Sequence, residues 1–398
     1  MTDLSTPQLA QTPHVLTRGL VLLFAFCCGA IVANLYYAQP IVELIAPSVG
    51  LSAHSASMIV SLTQIGYAVG LLLLVPLADL LENRKLMIGT AIIASVGLLA
   101  AGLTSQPNLF LALSLLIGFS SVSVQMLIPL AAHLAPEESR GRVVGNIMSG
   151  LLLGVLLARP ISSLVADHFG WRMVFVAASL LMLAIIVVIA LTIPTRQPAH
   201  KATYGQLMGS LLTLLRTQPV LRQRALYQGL FFASFSLFWT AAPIELTRQH
   251  GLSQTQIAIF ALVGAIGALA APLAGRLADA GHTRRASIVA MIIASLAFLL
   301  SCSGPGYSVI GLALTGIFLD FAVQMNMVLG QRAVYALDPA SRARLNALYM
   351  TSIFIGGAIG SALASPLYEA AGWLVIAMAG AALPAAALVA LLWFGRQR

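Results

Sequence analysis

The chain has 398 residues, 59% of them hydrophobic and only 8% charged, with a formal net charge of +9 and a mean hydropathy of +0.95. So little charge cannot cover a water-soluble domain of this length, and the chain is expected to be solvated by lipid. The positive balance does not indicate nucleic acid, because of where the basic residues fall.

A membrane-spanning helix needs about 20 apolar residues, and twelve such runs follow one another along the chain. Six lie at 19–45, 55–78, 86–105, 109–133, 143–166 and 172–193, and six more at 224–246, 256–277, 286–303, 309–334, 345–367 and 373–394. They lack the polar–apolar alternation of a membrane barrel, so the expected fold class is an all-α membrane protein. All but three of the 21 Lys and Arg sit at the chain ends or in the even-numbered breaks, counting Arg276 and Arg332 at helix ends; the exceptions are Arg159, Arg172 and Arg248. The positive-inside rule then predicts cytoplasmic N- and C-termini. Residues 1–17 lack a basic n-region and no convincing cleavage site follows, so the first run is expected to be retained.

In chain order, the first run carries Cys27 and Cys28, expected to be small packing residues like Cys302 in the ninth. Asn34 and Tyr37 share a face of the same run, Gln64 lies in the second, and Ser121 and Gln125 share a face of the fourth. Polar groups beside an aromatic wall suit a substrate cavity, and each could equally be an interhelical hydrogen bond. Glu43 and Glu245 occupy matching places near the outer ends of spans one and seven, soon after Pro40 and Pro243. They are candidates for the outer mouth, or simply solvated acids at the interface. Arg159, in the outer part of span five, either snorkels to headgroups or serves as a substrate anchor or ion-pair partner.

Residues 195–223 form the one long connection. Leu207, Leu211 and Leu214 recur there at helical spacing, flanked by Lys201, Arg216, Arg222 and Arg224. This predicts a short amphipathic helix lying on the inner leaflet. Asp320 lies near the middle of the tenth run, where an ionised carboxylate costs several kcal/mol unless hydrated or paired. It is the foremost candidate for proton coupling, with Gln324 one turn on and on the same face. Small residues four apart recur as Gly66 and Gly70, Gly150 and Gly154, Gly264 and Ala268, and Gly356 and Gly360. They permit close backbone approach, either as ordinary bundle packing or at a sliding seam between two halves.

The two halves repeat each other. Leu77-Ala78-Asp79 followed by Arg84-Lys85 matches Leu277-Ala278-Asp279 followed by Arg284-Arg285. Ser139-Arg140-Gly141-Arg142 matches Ser341-Arg342-Ala343-Arg344, Gly50-Leu51-Ser52 matches Gly251-Leu252-Ser253, and Gly170-Trp171 matches Gly372-Trp373. The expected organisation is a six-helix bundle over 1–194, a linker over 195–223 and a second six-helix bundle over 224–398. An even number of spans per repeat places the pseudo-two-fold axis along the membrane normal, with a substrate site between the halves near the midplane.

With these residues in view, the chain resembles the major facilitator superfamily. Gly275-Arg276-Leu277-Ala278-Asp279 is similar to that superfamily's loop of the form G-x-L-A-D-R-x-G-R-R/K, while the first copy has Val75, Leu80 and Glu82 at three of its positions. Pro136–Arg142 resembles the loop after the fourth span of drug/proton antiporters, and Asn34–Pro40 resembles the first span of arabinose-efflux-like permeases. Two departures are Ser114 where antiporters carry an arginine, and Arg159-Pro160 where their fifth span carries Gly-Pro. The resemblance implies alternating access, with Asp79, Arg84, Lys85, Asp279, Arg284 and Arg285 as a cytoplasmic gate. Each aspartate ends a helix, where the dipole disfavours an anion; its expected partner is the following basic pair or a helix N-terminus of the other half.

The expectation is therefore a secondary transporter of the bacterial inner membrane, functional as a monomer. It would export a small apolar or cationic compound, or a sugar-like metabolite, against proton entry through Asp320. Proton symport or uncoupled uptake is the alternative, and a transport-fold sensor is the rival from another class. Enzymatic chemistry, a metal site and a cofactor are not expected; the proton gradient is the expected energy source.

Overall fold

The structure, a computed structural model, describes residues 17–195, 203–302, 304–338 and 341–394. Both chain ends, Lys201 and the side chain of Ala268 lie outside the described residues. Nine single spans are Ala53–Asp79, Asn83–Leu103, Pro107–Leu134, Arg140–Phe169, Trp171–Thr192, Pro219–Arg248, Gln254–Asp279, Thr283–Leu300 and Val309–Tyr335. Spans eleven and twelve run on as Arg342–Phe394, divided where Ala371 and Gly372 leave helical geometry. Span one is interrupted: Arg18–Ala33 passes through the turn at Gln39–Ile41, where Pro40 removes a backbone donor, into a helix at Val42–Val49. That completes twelve spans in two bundles of six.

The repeated segments now have physical meaning. Gly50 and Gly251 end helices at φ of 79° and 64°, and Gly170 and Gly372 turn the chain at 84° and 65°. L-residues rarely adopt that region, so the same glycines recur where the same corners must be made. Arg140 Nε donates to the Ala132 carbonyl (2.9 Å) and Arg342 Nε to the Tyr335 carbonyl (3.2 Å), so each copy of the Ser-Arg-x-Arg sequence caps the helix before it. Ser253 caps span eight in a reciprocal box with Gln256, and Ser308 caps span ten through the Gly311 amide.

Leu22, Phe26, Leu103, Ile310, Trp393 and Leu191 (81% exposed) stand on the outer surface. A continuous apolar exterior of this kind fits a lipid-facing belt. Inside, span seven is almost wholly enclosed by its neighbours.

Spans two and eleven meet across the halves, as do spans five and eight. Ser57 and Ser365 exchange backbone-to-hydroxyl hydrogen bonds of 3.1 and 3.2 Å, Ser61 Oγ donates to the Ala358 carbonyl at 2.8 Å, and Thr255 donates to Asp167. The four spans expected at the seam are there, but their small residues do not face it. Added Cβ atoms at Gly66 and Gly70 would collide with Leu115 and Phe119 of span four; at Gly150 and Gly154, with Ala25 and Gly29 of span one. Gly356 and Gly360 press against Gly229 and Ala233 of span seven, and Gly264 against Asp320 of span ten. These residues bring helices together within each half.

The linker forms a helix at Tyr204–Thr217, opened by a Thr203–Gln206 capping box. It does not simply rest on lipid: Leu207 and Leu211 are buried, and Tyr204 Oη donates to the Leu73 carbonyl at 3.0 Å. Its apolar face covers a cavity of about 140 Å³ between the halves, lined also by Asp79, Gln125, Arg344 and Met350. The end carrying this helix and the Asp79 and Asp279 loops is called here the basic end, and the opposite one the far end.

Candidate functional site

Arg159 is 3% exposed and does not reach headgroups. The helix of span five carries it inward to a point where three aromatic faces converge: Tyr36 at 5.1 Å, Phe235 at 5.2 Å and Trp239 at 4.6 Å from the guanidinium carbon. Its Nε donates to Gln39 Oε1 at 2.8 Å, and Gln39 Nε2 donates in turn to Thr240 Oγ1 at 3.3 Å. Tyr36 and Gln39 belong to the first half, Phe235, Trp239 and Thr240 to the second, so the cation is clasped by both. A charge at membrane depth costs about 2.5–3.5 kcal/mol on insertion scales, and each cation–π contact returns about 0.5–2 kcal/mol. The aromatic box can therefore hold the charge. It leaves one terminal nitrogen, Nη2, buried without a hydrogen-bond partner among the described residues.

Asp320 lies at the N–H edge of the same indole. Trp239 Nε1 donates to its Oδ1 at 2.8 Å, and the side chain is 9% exposed. Gly264 and Gly267 of span eight make room for it: a Cβ at Gly264 would stand 2.6 Å from Oδ2, and one at Gly267 2.6 Å from the aspartate Cβ. Gln324 is half-buried and makes no hydrogen bond to a described residue, so it does not join Asp320. Asn326, on a different face, instead donates to Gln228 Oε1 at 2.7 Å.

The other predicted cavity residues are dispersed. Asn34 Nδ2 donates to Ser121 Oγ at 3.3 Å within the first half, and Gln125 donates to Tyr67 Oη at 3.3 Å beside the basic-end cavity. The Tyr37 ring is buried, and its carbonyl accepts from Ser162. Gln64 donates to Ser236 at 3.2 Å across the halves and lies against Gly357. Interhelical hydrogen bonds in membranes average about 0.6 kcal/mol, so in this conformation each of these pairs adds modestly to helix association. Gln39 and Trp239 were missed from sequence. The aromatic density of Phe231, Phe232, Phe235, Phe238 and Trp239 was the available signal for the second.

At the far end, Glu43 and Glu245 part company. Arg248 binds Glu43 through Nε (2.7 Å) and Nη2 (3.1 Å), and Glu369 through Nη1 (2.6 Å), so one guanidinium ties the end of span seven to both halves. Glu245 is not a solvated mouth residue. It is 1% exposed and accepts from Tyr368 (2.7 Å) and Tyr307, with His250 at 4.0 Å, all within the second half. Burial and this hydrogen bond push the Tyr307 phenol up to about 12, so it stays a donor through the physiological range.

At the basic end, neither aspartate pairs with the basic residues that follow it. Lys85 reaches Glu82 instead (3.7 Å), and Arg84, Arg284 and Arg285 form no ion pair among the described residues. Asp279 pairs with Arg332 of span ten, whose Nη1 also donates to the Gly275 carbonyl at 3.1 Å. That contact stays inside the second half. Asp79 is exposed and lines the cavity opposite Arg344, at the start of span eleven in the other half.

Comparison with known proteins agrees with this architecture. The model of the Major Facilitator Superfamily matches residues 21–232 and 224–398. The transporter YgaY of Escherichia coli is 40% identical over 393 residues, covering 98% of this chain and 99% of its own. The probable transporter SCO4007 of Streptomyces coelicolor is 31% identical, with 95% and 89% covered. A chloramphenicol resistance protein of Streptomyces lividans is 28% identical over 241 residues, 59% of this chain and 60% of that one. The crystal structure of the nucleoside transporter NupG superposes with a TM-score of 0.74 at 16% identity, covering 94% of this chain and 98% of that one, which speaks to the fold alone.

Proposed function

Because the chain belongs to the Major Facilitator Superfamily, matched along both halves, we propose that it moves a small organic compound by rocking its two bundles about the Arg159–Trp239–Asp320 cluster, with Asp320 carrying the coupling proton. The observation that carries this reading is the placement of Asp320: buried at mid-span in one half and one indole away from a cation rooted in the other. Intramembrane acids are rare, and they face a cavity or a proton path in most proteins that keep them. Protonating or ionising that carboxylate changes what holds the halves together at their centre. The basic end is the cytoplasmic one by the positive-inside rule, in a bacterial inner membrane. With Arg248 latching the far end and a cavity at the basic end, the described conformation is closed to the outside.

Export against protons is the first reading of direction, supported by the relative named for chloramphenicol resistance. Movement of substrate together with a proton is the second, and Arg159 favours it, since a buried cation repels a cationic cargo. Proteoliposomes with a trapped pH indicator, challenged with a compound panel, test both. Compound-driven proton movement that disappears in Asp320→Asn supports the coupling, and its sign separates exchange from co-transport. Unchanged proton movement in that variant removes Asp320 from the mechanism.

A further inference from the structure

We propose that the cluster around Arg159 is a subsite for the carboxylate of a small aromatic acid, which makes the transported compound an organic anion. The inference rests on the central cluster being the translocation site, the part common to both readings of direction.

Three observations converge. Arg159 is buried with Nη2 lacking any hydrogen-bond partner among the described residues, although the neighbouring Nε is satisfied and oriented by Gln39. An unmade hydrogen bond on a buried charged group is among the more expensive features a protein can keep, which points to a partner outside the chain. Next, no acid of this chain forms an ion pair with Arg159 among the described residues. The nearest candidate, Asp320, accepts the Trp239 N–H at the indole's edge, while Arg159 lies over the ring face. Among the described residues no carboxylate therefore hydrogen-bonds the guanidinium, whose Nε is held by an amide oxygen. Finally, the walls are aromatic: Tyr36, Phe235 and Trp239 contact the guanidinium, and Phe260 packs edge-on against Trp239.

These walls select within the anions. Rings that now stack on the guanidinium can accept the flat face of an aryl group when the halves part. A planar monoanion is also far cheaper to desolvate among them than a phosphate dianion. Gln39 acts as a positioning residue, because its amide is fixed at the other end by Thr240 of the opposite half. Opening that contact would free both the guanidinium and its orienting group in one movement. A cation has no counter-charge here that Trp239 has not already engaged.

The test is calorimetric titration of the full chain in lipid nanodiscs with three shape-matched probes: benzoate, benzamide and benzylammonium, then the corresponding naphthalene series. The expected result is that carboxylates bind at least about tenfold more tightly than the matched amides, and amines not at all. Arg159→Gln should erase the preference to within about twofold, and Arg159→Lys should keep part of it, since a lysine retains charge without the planar fork. The preference in the unmodified chain stands as a measurement even if Arg159→Gln folds poorly. Absence of carboxylate binding overturns the proposal, as does equal binding of amides or amines, or a carboxylate preference that survives Arg159→Gln. Carboxylate binding without any proton movement would leave this subsite standing and defeat the proton-coupling reading. Proton movement driven by amides or amines alone would do the reverse.

Discussion

Arg159 and Asp320 share one side chain: Trp239 offers its ring face to the guanidinium at 4.6 Å and its N–H to the carboxylate at 2.8 Å. The two contacts use different parts of the indole and can be separated. Trp239→Phe keeps an aromatic face for Arg159 and removes the donor to Asp320. A hydrogen bond to a charged group is worth about 1.5–3 kcal/mol, so transport should slow by roughly ten- to a hundredfold while the fold survives. Trp239→Leu removes both contacts and should be worse than Trp239→Phe in initial-rate flux assays. Equal rates for the two variants would mean that the cation–π contact contributes nothing to transport.

Span eight supplies a finer probe of the same acid. At Gly264 an added methyl would stand 2.6 Å from Asp320 Oδ2, the mobile end of a side chain. Gly264→Ala should displace the carboxylate and cut proton-linked flux, with a melting temperature close to that of the unmodified chain. At Gly267 the methyl would meet the backbone of span ten, 2.9 Å from the Asp320 carbonyl carbon. Backbone cannot yield as cheaply, so Gly267→Ala should destabilise by about 1–3 kcal/mol, read as lower expression and an earlier thermal transition. The reverse ranking of the two alanines would contradict the packing described.

Much of this architecture was readable from residue order, for a physical reason. Twelve apolar runs and twin corner glycines are one-dimensional signals: a span needs a length, and a positive φ needs a glycine. Partnership is not such a signal. Gly66 and Gly150 announce close approach, and nothing in their spacing says that span four and span one are what approaches. Asp320 and Arg159 stood out because charges are costly in lipid. Trp239, which joins them, lay in a run of aromatics that reads as ordinary packing, and Gln39 sat unremarked beside Pro40. Glu43 and Glu245 show the limit of repeat symmetry: equivalent positions, one bridged across the halves and one enclosed by two tyrosines.

Arg248 holds both halves at the far end, and its loss should open that end. The three side chains are about one-fifth to one-third exposed, so each pair is worth at most about 1 kcal/mol. Only the Glu43 pair crosses the halves, so Arg248→Gln should shift the equilibrium toward far-end opening by roughly fivefold at most. Spin labels on His54→Cys and Ala370→Cys, both exposed and on opposite halves, would report a longer distance population in pulsed electron resonance. High salt should produce part of the same shift in the unmodified chain by screening the exposed pairs. An unchanged distance distribution would show that the other contacts between the halves, those of Ser57, Ser61 and Ser365 and of Thr255 with Asp167, hold that end without Arg248.

The two copies of the basic-end loop should respond unequally to the same substitution. Asp279 spends its charge on Arg332 inside its own half, in a pair whose side chains are 49% and 70% exposed. Such a contact contributes at most about 1 kcal/mol and does not touch the other half. Asp279→Asn should therefore leave the distribution between conformations nearly unaltered and lower stability slightly. Asp79 faces Arg344 of the second bundle across the cavity that Leu207 and Leu211 cover. When the basic end closes, that gap must narrow, and the interaction between the two charges grows as it does. Asp79→Asn removes an attraction present mainly in the closed form, so the variant should accumulate with its basic end open. Cross-linking yields between paired cysteines on spans two and eleven at that end, compared for the two asparagine variants, read the difference directly. Equal yields would mean that Asp79 serves the turn and not the gate.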